Sequence, residues 1–185
     1  MTQQISTAQK VSTWEIDPGH SVVEFSARHM MISSVKGRFH GLAGTITVDE
    51  ANPENSQVEA VIEASTVDSR NDQRDTHLKS GDFLDAESYP SISFRSKKVS
   101  YHDPEHLKLI GDLTIKDVTR EVALDATFHG KMKSPWGDER SGFSAQTKLN
   151  RKDFGLTWNV ALEAGGFVVG DELNINIEIE AVKKD

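Results

Sequence analysis

Leu173-Asn174-Ile175-Asn176-Ile177-Glu178-Ile179-Glu180-Ala181-Val182 decides how the rest of the chain is read. Leu173, Ile175, Ile177, Ile179 and Ala181 share one parity; Asn174, Asn176, Glu178 and Glu180 share the other. Successive side chains of an extended strand point to opposite faces, so a period of two predicts a strand with one dry and one wet face. Outward from this stretch the alternation recurs. Val23, Phe25 and Ala27 oppose Glu24, Ser26 and Arg28 within Ser21 to His29. Val58, Ala60 and Ile62 oppose Glu59 and Glu63 between Gln57 and Ala64. Leu107, Leu109, Leu113 and Ile115 share a face around Gly111. So do Val122, Leu124, Ala126 and Phe128, and likewise Phe143, Ala145, Thr147 and Leu149. Ile92 and Phe94 mark a shorter run, and Phe39 through Val48, with Ile46 in it, is interrupted by Gly41 and Gly44.

The pattern predicts about eight strands. Turn signals lie between them: Asn52-Pro53, Asp103-Pro104, Ser134-Pro135-Trp136-Gly137, and the polar turn from Lys116 to Thr119. Short turns join antiparallel neighbours, and the continuous apolar runs and intervening helices of a parallel sheet are missing. An all-β sandwich or barrel follows, and long meandering strands remove their edges by closing.

Two stretches break the period. In Ser69 to Leu84, Asn71 or Asp72 is placed to cap a helix and Gly81 to stop it after about two turns. Leu78, Phe83 and Leu84 then serve as plugs. Phe154 to Gly170 carries four glycines and reads as a long crossing loop with at most a helical turn. Residues 1–12 are expected to be a flexible tail and 13–185 a single domain.

Composition limits the chemistry. The 185 residues include no cysteine, which excludes a disulfide scaffold, a thiol nucleophile, a Cys-ligated zinc site and an iron–sulfur cluster. A formal net charge of −8 repels phosphate backbones and anionic lipid surfaces from the chain as a whole, and argues against nucleic acid as a partner. No stretch reaches the length of a membrane-spanning apolar helix. The opening MTQQISTAQK lacks a basic segment followed by an apolar one, so a cytoplasmic location is expected, or a periplasmic one if the chain has been trimmed.

No phosphate loop, nucleophile elbow, HExxH or EF-hand loop is present. His102 and His106 are spaced like helical metal ligands, but Pro104 between them makes a turn, so no metal site is expected there. Trp14, Trp136 and Trp158 either stack on a ligand or, as such residues more often do, serve as plugs or barrel-end lids. Arg70, Arg74, His77 and Lys79 cluster in one irregular segment of an acidic chain, and Arg151 opens the other. These cations make either local ion pairs or a polar end that holds a head group. The inward faces hold many small residues: Ala27, Ala60, Ala64, Gly111, Ala126 and Ala145. Small residues on several strands favour an internal cavity over a filled barrel, since a closed sheet of about eight strands is near the size that just admits one ligand.

Ordered blocks then show a resemblance. They are Trp14-Glu15-Ile16-Asp17 with His20-Ser21, Phe25, His29 and Gly37-Arg38-Phe39; then Arg74 through Ser80 with Asp82-Phe83 and Tyr89-Pro90. Gly111 through Ile115, Val118-Thr119, Asn150 through Gly155, Gly165-Gly166 and Val169-Gly170-Asp171 complete the set. The chain resembles the YceI-like family of polyisoprenoid-binding proteins from about residue 13 to 182. That resemblance implies an extended, lipocalin-like, eight-stranded antiparallel barrel whose channel holds a polyisoprenoid or an isoprenoid quinone. It implies a homodimer and a binding protein for transport, storage or sequestration, with no cofactor beyond that amphiphilic lipid. Alternation and resemblance together place Phe25, Ala27, Ile46, Ala60, Phe94, Leu109, Leu113, Leu124, Ala126, Phe143, Ala145, Ile175 and Ile177 on the tunnel wall. Arg74, His77 and Arg151 are expected near the polar head. Two rivals stay open at this point. One is an enzyme acting on a prenyl pyrophosphate or lipid head group with His77 or His29 as base. The other is an interaction module with a filled barrel.

Overall fold

The computed structural model describes residues 11–184. In chain order the strands are β1 Val11–Ile16, β2 Val22–His29, β3 Ser33–Phe39, β4 Leu42–Asp49, β5 Gln57–Glu63, β6 Val67–Asp68, β7 Ser91–Tyr101, β8 His106–Ile115, β9 Val118–Lys133, β10 Glu139–Asn150 and β11 Val169–Lys184. One helix, α1 (Asp72–Lys79), follows β6. Every pairing is antiparallel.

The ring β1-β4-β5-β7-β8-β9-β10-β11 closes through β1–β11, giving an eight-stranded barrel. The sixteen-residue β11 is the seam. One edge pairs with β10 from Glu172 to Val182. The other pairs with β1 from Ala181 to Lys184 and with β2 from Val169 to Glu178. β2 carries β3 and then β6, so these three prolong the wall beyond the closed ring.

The closed barrel agrees with the strand count, but its membership differs. β2, expected as a stave, belongs to the extension, and β1 takes its place in the ring. Val11 and Ser12, assigned to a loose tail, lie in β1; the rest of that tail falls outside the described residues. β1, β3 and β6 went unforeseen because few of their positions are buried: Trp14 and Ile16 in β1, Gly37 and Phe39 in β3, Val67 in β6. The run from Phe39 to Val48 is two strands, broken at His40 and Gly41.

Helix α1 begins as read: the Asn71 side chain accepts from the Arg74 amide at 2.9 Å. Its stop is Ser80 rather than Gly81. The Ser80 hydroxyl donates to the His77 carbonyl at 2.7 Å, and the Leu84 and Ala86 amides take the carbonyls of Leu78 and Lys79. Those partners arrive from the following loop, so no glycine is needed to end the helix. Trp14 is 1% exposed in the main core, with Lys131 Nζ 5.2 Å above its ring. Trp136, expected as a plug, is 84% exposed on the β9–β10 turn: the hairpin carries it past the end of the barrel.

Candidate functional site

Alternation puts one face of every stave inside the barrel, and that interior is not filled. An upper cavity of about 200 Å³ lies within β4, β5 and β7 to β11. A lower one of about 280 Å³ lies between β2, β3, α1 and the loop 154–170. Val23, Phe39, Ile92, Ile115, Leu149 and Ile175 border both, so the two cavities adjoin with these side chains between them.

Ile46, Ala60, Phe94, Leu109, Leu113, Leu124, Ala126, Phe143, Ala145 and Ile177 form wall of the upper cavity. Phe25, Ala27, Arg74, His77 and Arg151 form wall of the lower one, and Ile175 borders both. The small residues divide. Ala27, Ala60, Ala126 and Ala145 face open space. Gly111 does not: a β-carbon there would overlap the Phe94 ring, which fills the place of the missing side chain. Phe25 covers Gly37, its partner across β2–β3, in the same way. Ala64 is packed in the core at the end of β5.

Polar groups gather at the lower end. His77 Nε2 lies 2.8 Å from Asp82 Oδ2. The imidazole meets Trp158 and Phe83 edge-on, at centroid separations of 4.6 and 5.0 Å. This aromatic clasp joins α1 to the loop 154–170. Arg74 donates from Nε to the Ser69 hydroxyl at 2.7 Å and from Nη2 to the Ser69 carbonyl at 2.6 Å. Its Nη1 has no partner among the described residues, so this cation has donor capacity left at the cavity wall.

Arg151 is different. Only 2% exposed, it donates to the carbonyls of Gly170 (2.9 Å), Leu156 (2.7 Å), Trp158 (2.9 Å) and Val169 (3.4 Å). Burial pulls its pKa below the usual arginine value, against the opposing charge of Asp171 at 3.6 Å. The expected head-group ligand is thus a strut. Its donors hold the two ends of the crossing loop, with Gly155 at φ 75° closing the 3₁₀ turn Arg151–Phe154 from which that loop departs.

Alternation missed the wall residues of the irregular segments, namely Leu156, Val168 and Val169. They obey no period, so the available signal was only their apolar character in a glycine-rich loop. At the far end of the upper cavity stand Tyr101 and Ser56. Burial raises the Tyr101 phenol above its ordinary value, and the hydrogen bond to Ser56 opposes this. Among the described residues, the carboxylate–imidazole group whose atoms converge is Asp17, His20 and Glu180, not the His102–His106 turn. Arg140 neutralises it, donating to Asp17 at 3.0 Å and also to Glu180.

A closed antiparallel barrel with an apolar interior and a few hydrogen-bond donors at one mouth defines a lipocalin-like internal-cavity protein. The chain belongs to the YceI-like family: the YceI-like domain matches residues 14–181. The protein YceI of Escherichia coli O6:H1 is 36% identical over 165 residues, covering 89% of this chain and 83% of that one. A crystal structure of a Campylobacter jejuni YceI protein superposes with a TM-score of 0.71 at 36% identity, covering 85% of this chain and 90% of that one. A polyisoprenoid-binding domain from Saccharophagus degradans shares the fold at a TM-score of 0.68 and 11% identity, over 96% of this chain and 100% of that one.

Proposed function

We propose that this chain binds a long isoprenoid lipid or isoprenoid quinone, its tail along the barrel axis and its head at the α1 end, and carries, stores or sequesters it. The observation that carries the reading is the pair of apolar cavities bordered by six common side chains. Two adjoining apolar cavities suit a long hydrocarbon, which gains roughly 0.8 kcal/mol per buried CH₂. A filled barrel does not fit that void. What the Saccharophagus degradans domain is said to bind points the same way.

Support for binding rather than catalysis comes from the surroundings of His77. Asp82 orients the ring, but the neighbouring Ser80 hydroxyl donates to the His77 carbonyl and not to its imidazole. With Arg74 as the head-group cation, Arg74→Ala weakens a prenyl phosphate and leaves a prenyl quinone nearly unchanged. A homodimer belongs to the same proposal. Native mass spectrometry of protein purified without added ligand, followed by solvent extraction, tests all of this. The expected result is a bound lipid that extraction releases. Protein that carries none and takes up no added prenyl quinone would overturn the reading, as would turnover of a prenyl pyrophosphate that His77→Ala abolishes.

A further inference from the structure

The lower cavity opens beside an apolar surface with no role in the ligand wall. Residues 30–32, Met-Met-Ile, form the β2–β3 turn, where the Ile32 amide donates to the His29 carbonyl at 3.2 Å. Met30 and Met31 lie at φ 50° and 63°, the left-handed region that turns normally fill with Gly or Asn. Both methionines are exposed, and Ile32 is 81% exposed. Beside this turn the crossing loop presents Val160 and Phe167, the latter 55% exposed. The two segments touch: the Met30 amide donates to the Val168 carbonyl at 2.8 Å, and the Met31 sulfur lies against Gly166. Five of the ten large apolar side chains exposed among the described residues belong to this one tip. Clustering of that kind, on unfavourable backbone, marks an interaction surface rather than scattered exposure.

Charge selects the partner. The chain as a whole is −8, yet Arg28 through Phe39 carries Arg28, Lys36 and Arg38 with no carboxylate, and residues 154–170 contain only Glu163. Arg38 pairs with Asp68, whereas Arg28 donates to the Met31 carbonyl and, like Lys36, meets no carboxylate among the described residues. A second copy docked here about a two-fold axis would bring Arg28 toward Arg28 and close the mouth. An anionic lipid surface satisfies both features: apolar side chains enter the acyl boundary while cations meet the head groups. The mouth would then face the phase from which a lipid comes, since Arg28, His29 and Val168 belong at once to the cavity wall and to the base of the tip.

We infer that the β2–β3 turn and the loop 154–170 form a docking surface for an anionic bilayer, through which the cavity loads and unloads. This deepens the lipid-cavity reading and rests on it for the cargo, while docking is measured apart from it. The experiment is co-sedimentation of the full chain with vesicles of equimolar phosphatidylcholine and phosphatidylglycerol, alongside solution binding of a short-tailed prenyl quinone. The chain is expected to bind these vesicles more strongly than phosphatidylcholine alone, and less at high salt. Met31→Ser with Ile32→Ser and Phe167→Ser should lower vesicle partitioning roughly tenfold or more while quinone binding in solution persists. If that variant fails to fold, Ile32→Asp, at the most exposed of these positions, is expected to act in the same direction. Vesicle binding without quinone uptake upholds docking and tells against the cargo alone. Absence of vesicle binding by the unmodified chain overturns the inference. So does a triple variant that partitions unchanged, or one that changes only from dimer to monomer.

Discussion

Ala60→Phe tests whether the upper cavity takes the far end of a ligand tail. Ala60 lies on β5 opposite Gly44 of β4 and Phe94 of β7, facing the cavity of about 200 Å³. A phenyl group there enters empty space, so stability should fall by less than the roughly 1–3 kcal/mol of true overpacking. It takes the room of about one five-carbon isoprene unit, whose exclusion costs about 4 kcal/mol at roughly 0.8 per CH₂. That is about a thousandfold in Kd for a long-tailed prenyl quinone. A short-tailed quinone, seated in the lower cavity alone, should bind as before. Quinone quenching of tryptophan fluorescence reads both affinities, because Trp158 is part of the lower wall. Equal weakening for both tails would refute the two-cavity path. So would an unchanged affinity for the long tail in a variant of unchanged stability.

Three other outcomes follow from the contacts. Arg151→Met removes the donor to four carbonyls and should destabilise the fold by about 3 kcal/mol in urea denaturation; a loss under about 1 kcal/mol would discredit its role as a strut. Gly111→Val drives a side chain into the Phe94 ring and the Arg95 carbonyl, with an expected loss of roughly 1–3 kcal/mol; a neutral effect on thermal unfolding would mean that the position faces open space after all. Asp17 has its pKa lowered by the His20 hydrogen bond first, then by the Gly19 amide and Arg140, against desolvation. A carboxyl depressed in the folded state stabilises above its unfolded pKa and stops doing so as pH falls through the folded one. Asp17→Asn should therefore lower Tm near neutrality, by about 1 kcal/mol of stability or less, and match the parent at strongly acidic pH. A gap that persists in acid would assign the effect to something other than this ionisation.

The strands that carry the cavity wall were legible because each buries one face over many residues, so the period is repeated enough to be read. β1 and β3 were not, for the complementary reason. β1 buries Trp14 and Ile16 alone, and β3 has Gly37 where a partner strand's Phe25 supplies the missing bulk. Small residues were a mixed guide: alanines at 27, 60, 126 and 145 border open space, while Gly111 is small because an aromatic from β7 lies over it. The start of α1 could be read because an N-cap is a local hydrogen bond; its end could not, because the loop 80–86 supplies the bonds that finish it. Arg74 and Arg151 look alike in a list of residues. Only the fold separates a cation with a donor unpaired among the described residues from one enclosed by carbonyls.

By itself the sequence determined the parity of the regularly alternating runs, the antiparallel sense of the pairing and the apolar character of the interior, since these depend on near neighbours in the chain; the bulge that reverses parity within β7 was not legible. Closure through β11, its division between β1 and β2, and the space left between facing side chains were decided in three dimensions. Whether a void remains depends on distances across the barrel, between residues that no local pattern relates.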